Sequence, residues 1–536
     1  MKIYTVKYFK IFFLLASLFM TTGYPLLSAG IEKKDSYAYT DTAETSLGKL
    51  AAEITGNDTI NSTMYLVGEG TDAFLTRMML LSRSERSVDV QYFIWKSDLI
   101  GKLLMHQMIQ AAERGVRVRI LLDDITLDSK TKAILFAMDQ HRNIDVRIYN
   151  TLSFKGFRLT AAITNPFRIN RRMHNKSFTV DSQYTIIGGR NIKEDYFSAN
   201  LISNYSDLDI VSVGPMVVEV DKQFDIYWNS PLAGPVRKFS AYLSQQDRYQ
   251  EVRQELTEFA LSEQNSEYAL DLKDSDMYQR IVKGISGENS NLLYKGKANV
   301  IYDDPEKTLG KSELETTYMT SLMQPHMDKI KTSLDLISPY FVPGRAGRDY
   351  LIALVKEGVR VRVLTNSLAS TDGIMAQSGY ARQRIELLKG GVELYELKPK
   401  QKSKASRSLR RSAEAKSALH AKTYIFDRKE VYIGSFNFDP RSAKINTELG
   451  VICEVPEMAE YMASEIFEKN ISESSYKIEL DIEKTNVFGV PAEKEKLAWV
   501  EMVNGKEIRH TISPQTSAWR RFNLNVYSIL PIESQL

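Results

Sequence analysis

Gly115-Val116-Arg117-Val118-Arg119-Ile120-Leu121-Leu122-Asp123-Asp124 and Gly358-Val359-Arg360-Val361-Arg362-Val363-Leu364-Thr365-Asn366 read as one strand written twice. In each copy a glycine closes a helical stretch, valine and arginine alternate, and an apolar run follows, as expected of a strand entering a buried sheet. The first copy is preceded by the strand-like Ser87-Val-Asp-Val-Gln-Tyr-Phe-Ile-Trp95 and by helical spacing from Ile100 to Arg114. The second is preceded by Leu334-Asp-Leu-Ile-Ser-Pro-Tyr-Phe-Val342 and a helix to Glu357. Strand, helix, strand, with a further helix and strand from Lys130 to Tyr149, predicts an α/β layer. The copies begin 243 residues apart, at 115 and 358. That spacing makes the chain two related halves, most simply a pseudo-twofold pair of domains, each a mixed, largely parallel sheet flanked by helices.

A reactive string repeats at nearly the same interval. His174-Asn175-Lys176 with Asp181 recurs as His420-Ala421-Lys422 with Asp427, 246 residues on. A glycine turn and an asparagine follow each: Gly188-Gly189-Arg190-Asn191 and Gly434-Ser435-Phe436-Asn437. Residues two apart on a strand share a face, so histidine and lysine from both halves can look into one cleft. A phosphodiester needs a nucleophile for phosphorus, positive charge for the oxygens and an acid for the departing alkoxide. Two imidazoles supply the first and last, and Lys176, Lys422, Asn191 and Asn437 can serve the oxygens. Each ring also needs a partner on its other nitrogen. Aligning Ser206-Asp207-Leu208 with Thr447-Glu448-Leu449 nominates Asp207 and Glu448, with His420 expected to be oriented by Glu448. Asp181 and Asp427 lie seven positions past their histidines, on the order of 23 Å along one strand. They read as structural turn residues. Arg190, Arg441 and Ser435 are candidates for contacts to the substrate headgroup; ion pairing within the protein would explain the arginines equally well.

These strings resemble the phospholipase D superfamily. Asn170-Arg-Arg-Met-His-Asn-Lys-Ser-Phe-Thr-Val-Asp181, Gly434-Ser-Phe-Asn-Phe-Asp-Pro-Arg-Ser442 and Asn446-Thr-Glu448 resemble its bacterial cardiolipin synthase C type. Similar stretches extend the likeness over nearly the whole chain after about residue 70. The resemblance implies a covalent phosphohistidine formed without metal or cofactor, and transfer of a phosphatidyl group to a lipid alcohol or to water. By position, His174 would be the nucleophile and His420 the general acid. Cardiolipin would form from phosphatidylglycerol and a second phospholipid such as phosphatidylethanolamine, at a membrane surface. Hydrolysis to phosphatidic acid and non-catalytic binding of anionic lipid are the alternatives. Both strings lie in one chain, so the site requires no oligomer.

Composition narrows the field. Seventy Lys plus Arg against 67 Asp plus Glu leave a net charge of +3 over 536 residues, which argues against a nucleic-acid partner. A single cysteine, Cys453, excludes an internal disulfide, and the six histidines show no HExxH pairing for a metal. Residues 1–30 carry Lys2, Lys7 and Lys10, an apolar run from Ile11 to Met20, then Ser28-Ala29-Gly30. This is the layout of a secretory signal or a membrane anchor, pointing to a bacterial envelope location, periplasmic or secreted. That segment departs from the cardiolipin synthase C type.

The expected order is then a connector over 31–70, a first domain over 71–233, a helical connector over 234–294, a second domain over 295–470 and an extension over 471–536. Lys398 to Lys416 holds eight basic residues against one acid, which suits a solvated loop or a guide for anionic lipid. A hairpin is expected around Asn504-Gly505, and Trp519 to Leu530 either rests on a membrane or packs on its own domain.

Overall fold

The computed structural model describes residues 33–151, 169–200, 203–239, 248–275, 278, 293–310, 312–399, 416–487, 490–503 and 505–530. The N-terminal segment 1–30, nearly all of the basic stretch, and Asn504 of the expected hairpin lie outside them.

The first half contributes β1 (Ser62–Val67), β2 (Ser87–Tyr92), β3 (Arg117–Asp123), β4 (Ile144–Tyr149), β5 (Ser177–Val180), β6 (Tyr184–Gly188), β7 (Ser203–Ser206), β8 (Asp209–Val213) and β9 (Ala233–Pro235). The second contributes β10 (Leu293–Tyr302), β11 (Ser333–Ile337), β12 (Arg360–Asn366), β13 (Glu393–Leu397), β14 (Lys416–Leu419), β15 (Thr423–Phe426), β16 (Glu430–Gly434), β17 (Leu449–Glu454), β18 (Ser475–Val487), β19 (Val490–Val503) and β20 (Lys506–His510). Pairing runs β9-β4-β3-β2-β5-β6-β8-β1 through the first half. Through the second it runs β10-β17-β16-β15-β11-β12-β13-β18-β19-β20. The halves join where β1 meets β10 antiparallel, Ser62 opposite Gly296 and Tyr65 opposite Leu293, giving one 18-stranded sheet. Outward from that seam the first eight strands of each order correspond, which is the expected pseudo-twofold, and β19 and β20 extend the second half beyond it.

The largely parallel sheet is corrected: parallel pairing is confined to β2-β3-β4, to β11-β12-β13 and to the separate pair β7-β14. The short strands β5 and β6, and likewise β15 and β16, are joined by tight turns, which makes them antiparallel neighbours. The turn from β5 to β6 holds Asp181 and Ser182 at φ 52 and 50, and that from β15 to β16 holds Asp427 and Arg428 at φ 51 and 54, so both turn on paired left-handed residues.

The duplicated Val-Arg-Val-Arg has a structural cause. Asp89 lies opposite Arg119 on the adjacent parallel strand and accepts from Nε and Nη2 at 2.6 and 2.7 Å. Asp335 does the same for Arg362 at 2.6 and 2.8 Å. Both are buried fork-to-carboxylate pairs that fix strand register. Between the halves, Met64, Ile187 and Ile210 bury against Ile425, Val431, Ile433 and Cys453. This core removes apolar area from water at about 25 cal/mol per Å² and, with the β1–β10 pairing, holds the two halves together. Burial raises the Cys453 thiol to about 12, so it acts as a small apolar group.

Three stretches outside the two expected domains carry helices and strands packed on the rest. The stretch expected as a connector holds the helix Ser46–Thr55 and β1, which sits at the centre of the sheet. The helices Tyr249–Ser262 and Glu267–Asp274 put Val252, Leu256 and Tyr268 into the first-half core. The C-terminal extension prolongs the second sheet through β18 to β20. Its last helix, Ala518–Ile529, packs by one face, where Arg382 Nε donates to the Ser528 carbonyl at 2.6 Å. The other face turns Trp519, Phe522, Val526 and Ile529 into solvent. Among the described residues no helix is long and apolar enough to cross a membrane.

Candidate active site

β5 begins directly after His174-Asn175-Lys176 and β15 directly after His420-Ala421-Lys422, so each reactive tripeptide is the lead-in to an inner strand of its sheet. Each lead-in pairs with the other half. Met173 bridges Thr447 in parallel, the His174 N–H donates to the Thr447 carbonyl at 2.8 Å, and the Thr447 N–H donates to the Arg172 carbonyl at 2.9 Å. On the other side β14 runs parallel to β7 with Leu419 opposite Ser206, and the His420 N–H donates to the Ser206 carbonyl at 2.8 Å. The residue after Thr447 is Glu448, and the residue after Ser206 is Asp207.

The orienting partners therefore cross. His174 Nδ1 lies 2.8 Å from Glu448 Oε2, and His420 Nδ1 lies 2.7 Å from Asp207 Oδ2. This corrects the expectation that His420 is oriented by Glu448. A within-half alignment cannot see a parallel pairing between halves, and that pairing carries each acid to the other half's ring. Neither half holds a complete histidine-acid pair.

All six groups are withdrawn from water, with Glu448 at 0% exposure and His174, the most exposed, at 8%. Burial pushes both imidazoles down to about 4. Their surroundings differ in what comes next. For His174 the Glu448 charge pulls upward, whereas at His420 the Lys422 ammonium adds to the downward push. Lys422 Nζ lies 3.1 and 3.2 Å from the two ring nitrogens of His420 and donates to its carbonyl at 2.5 Å. Lys176 Nζ donates to the His174 carbonyl at 2.5 Å and sits 5.7 Å from the centre of the Phe93 ring. Burial brings Lys176 down to about 7 and Lys422 to about 8. Asp207 is at about 2: burial alone would raise it, and the His420 and Lys422 charges hold it down. Glu448 is likewise lowered against burial by His174 and Lys176. Each half's lysine is felt by the other half's histidine, so the two strings form one site.

The asparagines and glycine turns are used unequally. Asn191 Oδ1 accepts from the Ile94 N–H at 3.1 Å and its Nδ2 donates to the Tyr196 hydroxyl at 3.0 Å. Asn437 is buried with its side-chain oxygen unpartnered. Ser435 donates to Glu448 Oε2 at 2.5 Å and accepts from the Leu449 N–H at 3.0 Å, so its hydroxyl is engaged with the acid. Arg190 is buried and donates to the carbonyls of Tyr196, Val67 and Asp207 at 3.1, 2.9 and 2.8 Å, and to that of Gly68. Arg441 donates to Asn170, at 2.8 Å for the backbone oxygen. Both arginines bond the scaffold, the within-protein role that the sequence left open for them. Asp181 accepts from the N–H groups of Arg86 and Ser87 at 2.7 and 2.9 Å, and Asp427 from those of Thr332 and Ser333 at 2.7 and 3.0 Å. Each is a turn acid gripping the entry to a neighbouring strand, remote from its histidine.

Several residues around the rings carry no signal in the sequence. Tyr196 stands edge-on to His420 at 4.9 Å, with its hydroxyl 3.4 Å from Nε2, and Tyr205 flanks the same ring at 5.2 Å. Phe93 stands edge-on to His174 at 5.1 Å. Behind Glu448, Asp303 accepts its N–H at 2.8 Å and pairs with Lys307 at 2.9 Å, both fully buried. The 303/307 spacing is a recognisable i,i+4 pair, but nothing in it points to residue 448.

The family model for the cardiolipin synthase, phospholipase D-like domain matches residues 78–228 and 323–470. The chain belongs to that family. Its relatives include Cardiolipin synthase C of Escherichia coli K12, 37% identical over 472 residues, covering 88% of this chain and 95% of that protein. An uncharacterized protein of Helicobacter pylori is 30% identical over 527 residues, covering 97% and 99%. Among solved structures, the phosphatidylserine synthase of Haemophilus influenzae aligns with a TM-score of 0.52 over 80% of this chain and 91% of its own, at 13% identity, and shares the fold. This cardiolipin synthase-like protein is thus an enzyme of the phospholipase D superfamily, with its two family matches falling on the two halves.

Proposed function

We propose that this enzyme transfers phosphatidyl groups between phospholipids through a phosphohistidine, forming cardiolipin from phosphatidylglycerol and a second phospholipid. The observation that carries the proposal is the crossed pair of buried histidine-acid dyads flanked by Lys176 and Lys422. In the first step His174 Nε2 attacks phosphorus, the bond from phosphorus to the headgroup oxygen breaks, and a proton from His420 goes to the departing alkoxide. In the second, an acceptor hydroxyl gives its proton back to His420, its oxygen attacks phosphorus, and the bond from phosphorus to nitrogen breaks. Neutral His174 suits the nucleophile's role at neutral pH. His420 is depressed by burial and by Lys422, and the incoming phosphodiester anion counters that lysine, which raises the ring's affinity for the proton it donates. The lysine ammoniums stabilise charge on the phosphoryl oxygens in a site drier than bulk water.

The enzyme works at a membrane surface, where such substrates lie. The outward Trp519, Phe522, Val526 and Ile529 support this, an inverted amphipathic helix with its apolar side in solvent. The N-terminal layout of residues 1–30 supports action after export. Purified protein incubated with phosphatidylglycerol, with and without phosphatidylethanolamine, should yield cardiolipin by mass spectrometry. Phosphatidic acid as the sole product would replace transfer by hydrolysis.

A further inference from the structure

One buried ion pair behind the site has no role in the chemistry described. Asp303 and Lys307 are both at 0% exposure, with Nζ 2.9 Å from Oδ1. Sealing two charges from water is costly unless their remaining hydrogen bonds are well met. Here those bonds run largely to the active site. Asp303 is the first residue after β10 and Glu448 the last before β17, one step past the paired ends Tyr302 and Leu449. The Asp303 N–H donates to the Glu448 carbonyl at 3.1 Å, and Asp303 Oδ2 accepts from the Glu448 N–H at 2.8 Å. In a continued ladder the Asp303 carbonyl would take that N–H; it accepts instead from the Tyr227 hydroxyl of the first half at 2.5 Å. The aspartate side chain thus holds the glutamate in place of the backbone.

Lys307 extends the same grip. Its Nζ donates to the Ser442 carbonyl at 2.9 Å, in the short helix Pro440–Lys444, and Ser442 Oγ accepts from the Asn437 N–H at 3.2 Å. One ammonium therefore ties the support of Glu448 to the turn that carries Asn437. Its own segment is fixed to the first half, where Arg171, three residues before His174, donates from Nη1 to the Lys307 carbonyl at 2.9 Å. The Tyr149 hydroxyl donates to the Pro305 carbonyl at 2.7 Å. The first half has a different arrangement at the matching place. After β1, the counterpart of β10, comes Gly68, and Arg190 donates to its carbonyl and to that of Asp207. A carboxylate set against the backbone of the orienting acid is thus particular to the acid of His174. Burial pushes Asp303 up to about 6 and the Lys307 charge opposes that rise, so Asp303 is an anion at neutral pH. Without the ammonium, that anion would stand uncompensated behind a second one, Glu448, and push it from the ring.

We propose that Asp303 and Lys307 are a positioning pair for the nucleophile, fixing Glu448, and through it His174, in the geometry for attack on phosphorus without touching substrate themselves. The proposal rests on the transfer reading above, in which His174 is the nucleophile.

The test reads the attack step by itself. Full-length His420→Ala protein is given phosphatidyl-p-nitrophenol in mixed micelles at saturating concentration. The bond from His174 Nε2 to phosphorus forms, the bond from phosphorus to the phenol oxygen breaks, and nitrophenolate leaves with the electron pair. The final gain of mass counts competent sites, and the rate constant of nitrophenolate release reports attack. Lys307→Met, close in size and uncharged, added to that protein should lower the rate constant by about a hundredfold at an unchanged final extent, the scale of a misplacement near 1 Å. A merely structural pair would lower the extent and leave the rate constant of the remaining sites alone, which overturns the proposal. Lys307→Met strands a buried carboxylate, so a second variant guards against a folding defect. Asp303→Asn with Lys307→Met removes both charges and keeps an acceptor for the Glu448 N–H. It should fold and attack about tenfold more slowly than its His420→Ala parent, having lost the bond to Ser442. A folded double variant as fast as the parent also overturns the proposal. If the parent itself gains no mass, His174 is not the nucleophile, and both the transfer reading and the proposal built on it fail.

Discussion

In the first half the acid that reaches across to the other histidine is Asp207, and Gly188-Gly189 runs behind it; in the second it is Glu448, with Gly434-Ser435 behind it. The difference is one of length. A Cβ on Gly189 would lie 2.2 Å from Asp207 Oδ1, so the shorter acid needs a bare backbone at that point. The longer Glu448 clears residue 435, leaving room for a serine that donates to its carboxylate. The two halves reach nearly the same distance from acid to ring, 2.7 and 2.8 Å, with different parts. The environments of the rings also diverge. His420 has Lys422 against it and two tyrosines around it, whereas His174 has Phe93 and a lysine that bonds only its carbonyl. A duplicated scaffold thus carries two imidazoles with unlike surroundings, which suits the proposed division into nucleophile and acid.

The strongest way to break that comparison is to remove one ring at a time. His174→Ala and His420→Ala should each reduce turnover by about 10³-fold or more while far-UV circular dichroism stays that of the wild type. The two should differ in what they trap. His420→Ala, given a donor with a good leaving group that needs no proton, should accumulate protein heavier by one phosphatidyl group, found by intact mass. His174→Ala should accumulate none. The reverse pattern would exchange the roles of the halves, and wild-type-like turnover in either variant would sink the two-histidine mechanism.

Next in size is the backbone opening. Gly189→Ala should drive the Asp207 carboxylate away from His420 and reduce kcat by about a hundredfold, the scale of a misplacement near 1 Å. The partner test is Gly189→Ala combined with Asp207→Glu, which copies the length used by the other half and should recover part of the loss. No recovery would show that acid length and turn residue are not matched in the way the two halves suggest.

Much of this was readable in the chain because duplication doubles every signal. The offset of Gly115 against Gly358 and of His174 against His420 predicts two halves, and the strand spacing of His174 and Lys176 predicts a shared face. What could not be read is whatever depends on one half touching the other. Asp207 and Glu448 are nominated as partners of the rings and each lies against one, yet His420 meets Asp207 in place of Glu448, because parallel pairing of β7 with β14 and of Met173 with Thr447 leaves no local trace. Arg190 illustrates a second limit. Its neighbours Val67, Gly68 and Asp207 are brought together only by the fold, so a scaffold arginine and a headgroup arginine look alike in sequence. The antiparallel pairing was missed for a third reason: strand character at Ser177–Val180 and Thr423–Phe426 is legible residue by residue, but the direction of the neighbouring strand is not.

The smallest expected effect lies at Ser435, and it tests whether the second half's acid needs its extra hydrogen bond. Glu448 is held below the usual carboxylate range against burial by the His174 charge and hydrogen bond, by Lys176 and by the Ser435 hydroxyl. Ser435→Ala removes the last of these and leaves the first two, so turnover at neutral pH should drop by about tenfold, the low end of the scale for one hydrogen bond to a charged group. The sign of the pH effect follows. With one stabilising donor gone, Glu448 takes up a proton at a higher pH than in the wild type, so a carboxylate able to orient His174 is lost sooner on acidification. The acid limb of kcat/KM should therefore move to higher pH in Ser435→Ala. A limb left in place would mean that His174, itself depressed by burial to about 4, sets it alone and that the serine holds the Leu449 backbone instead.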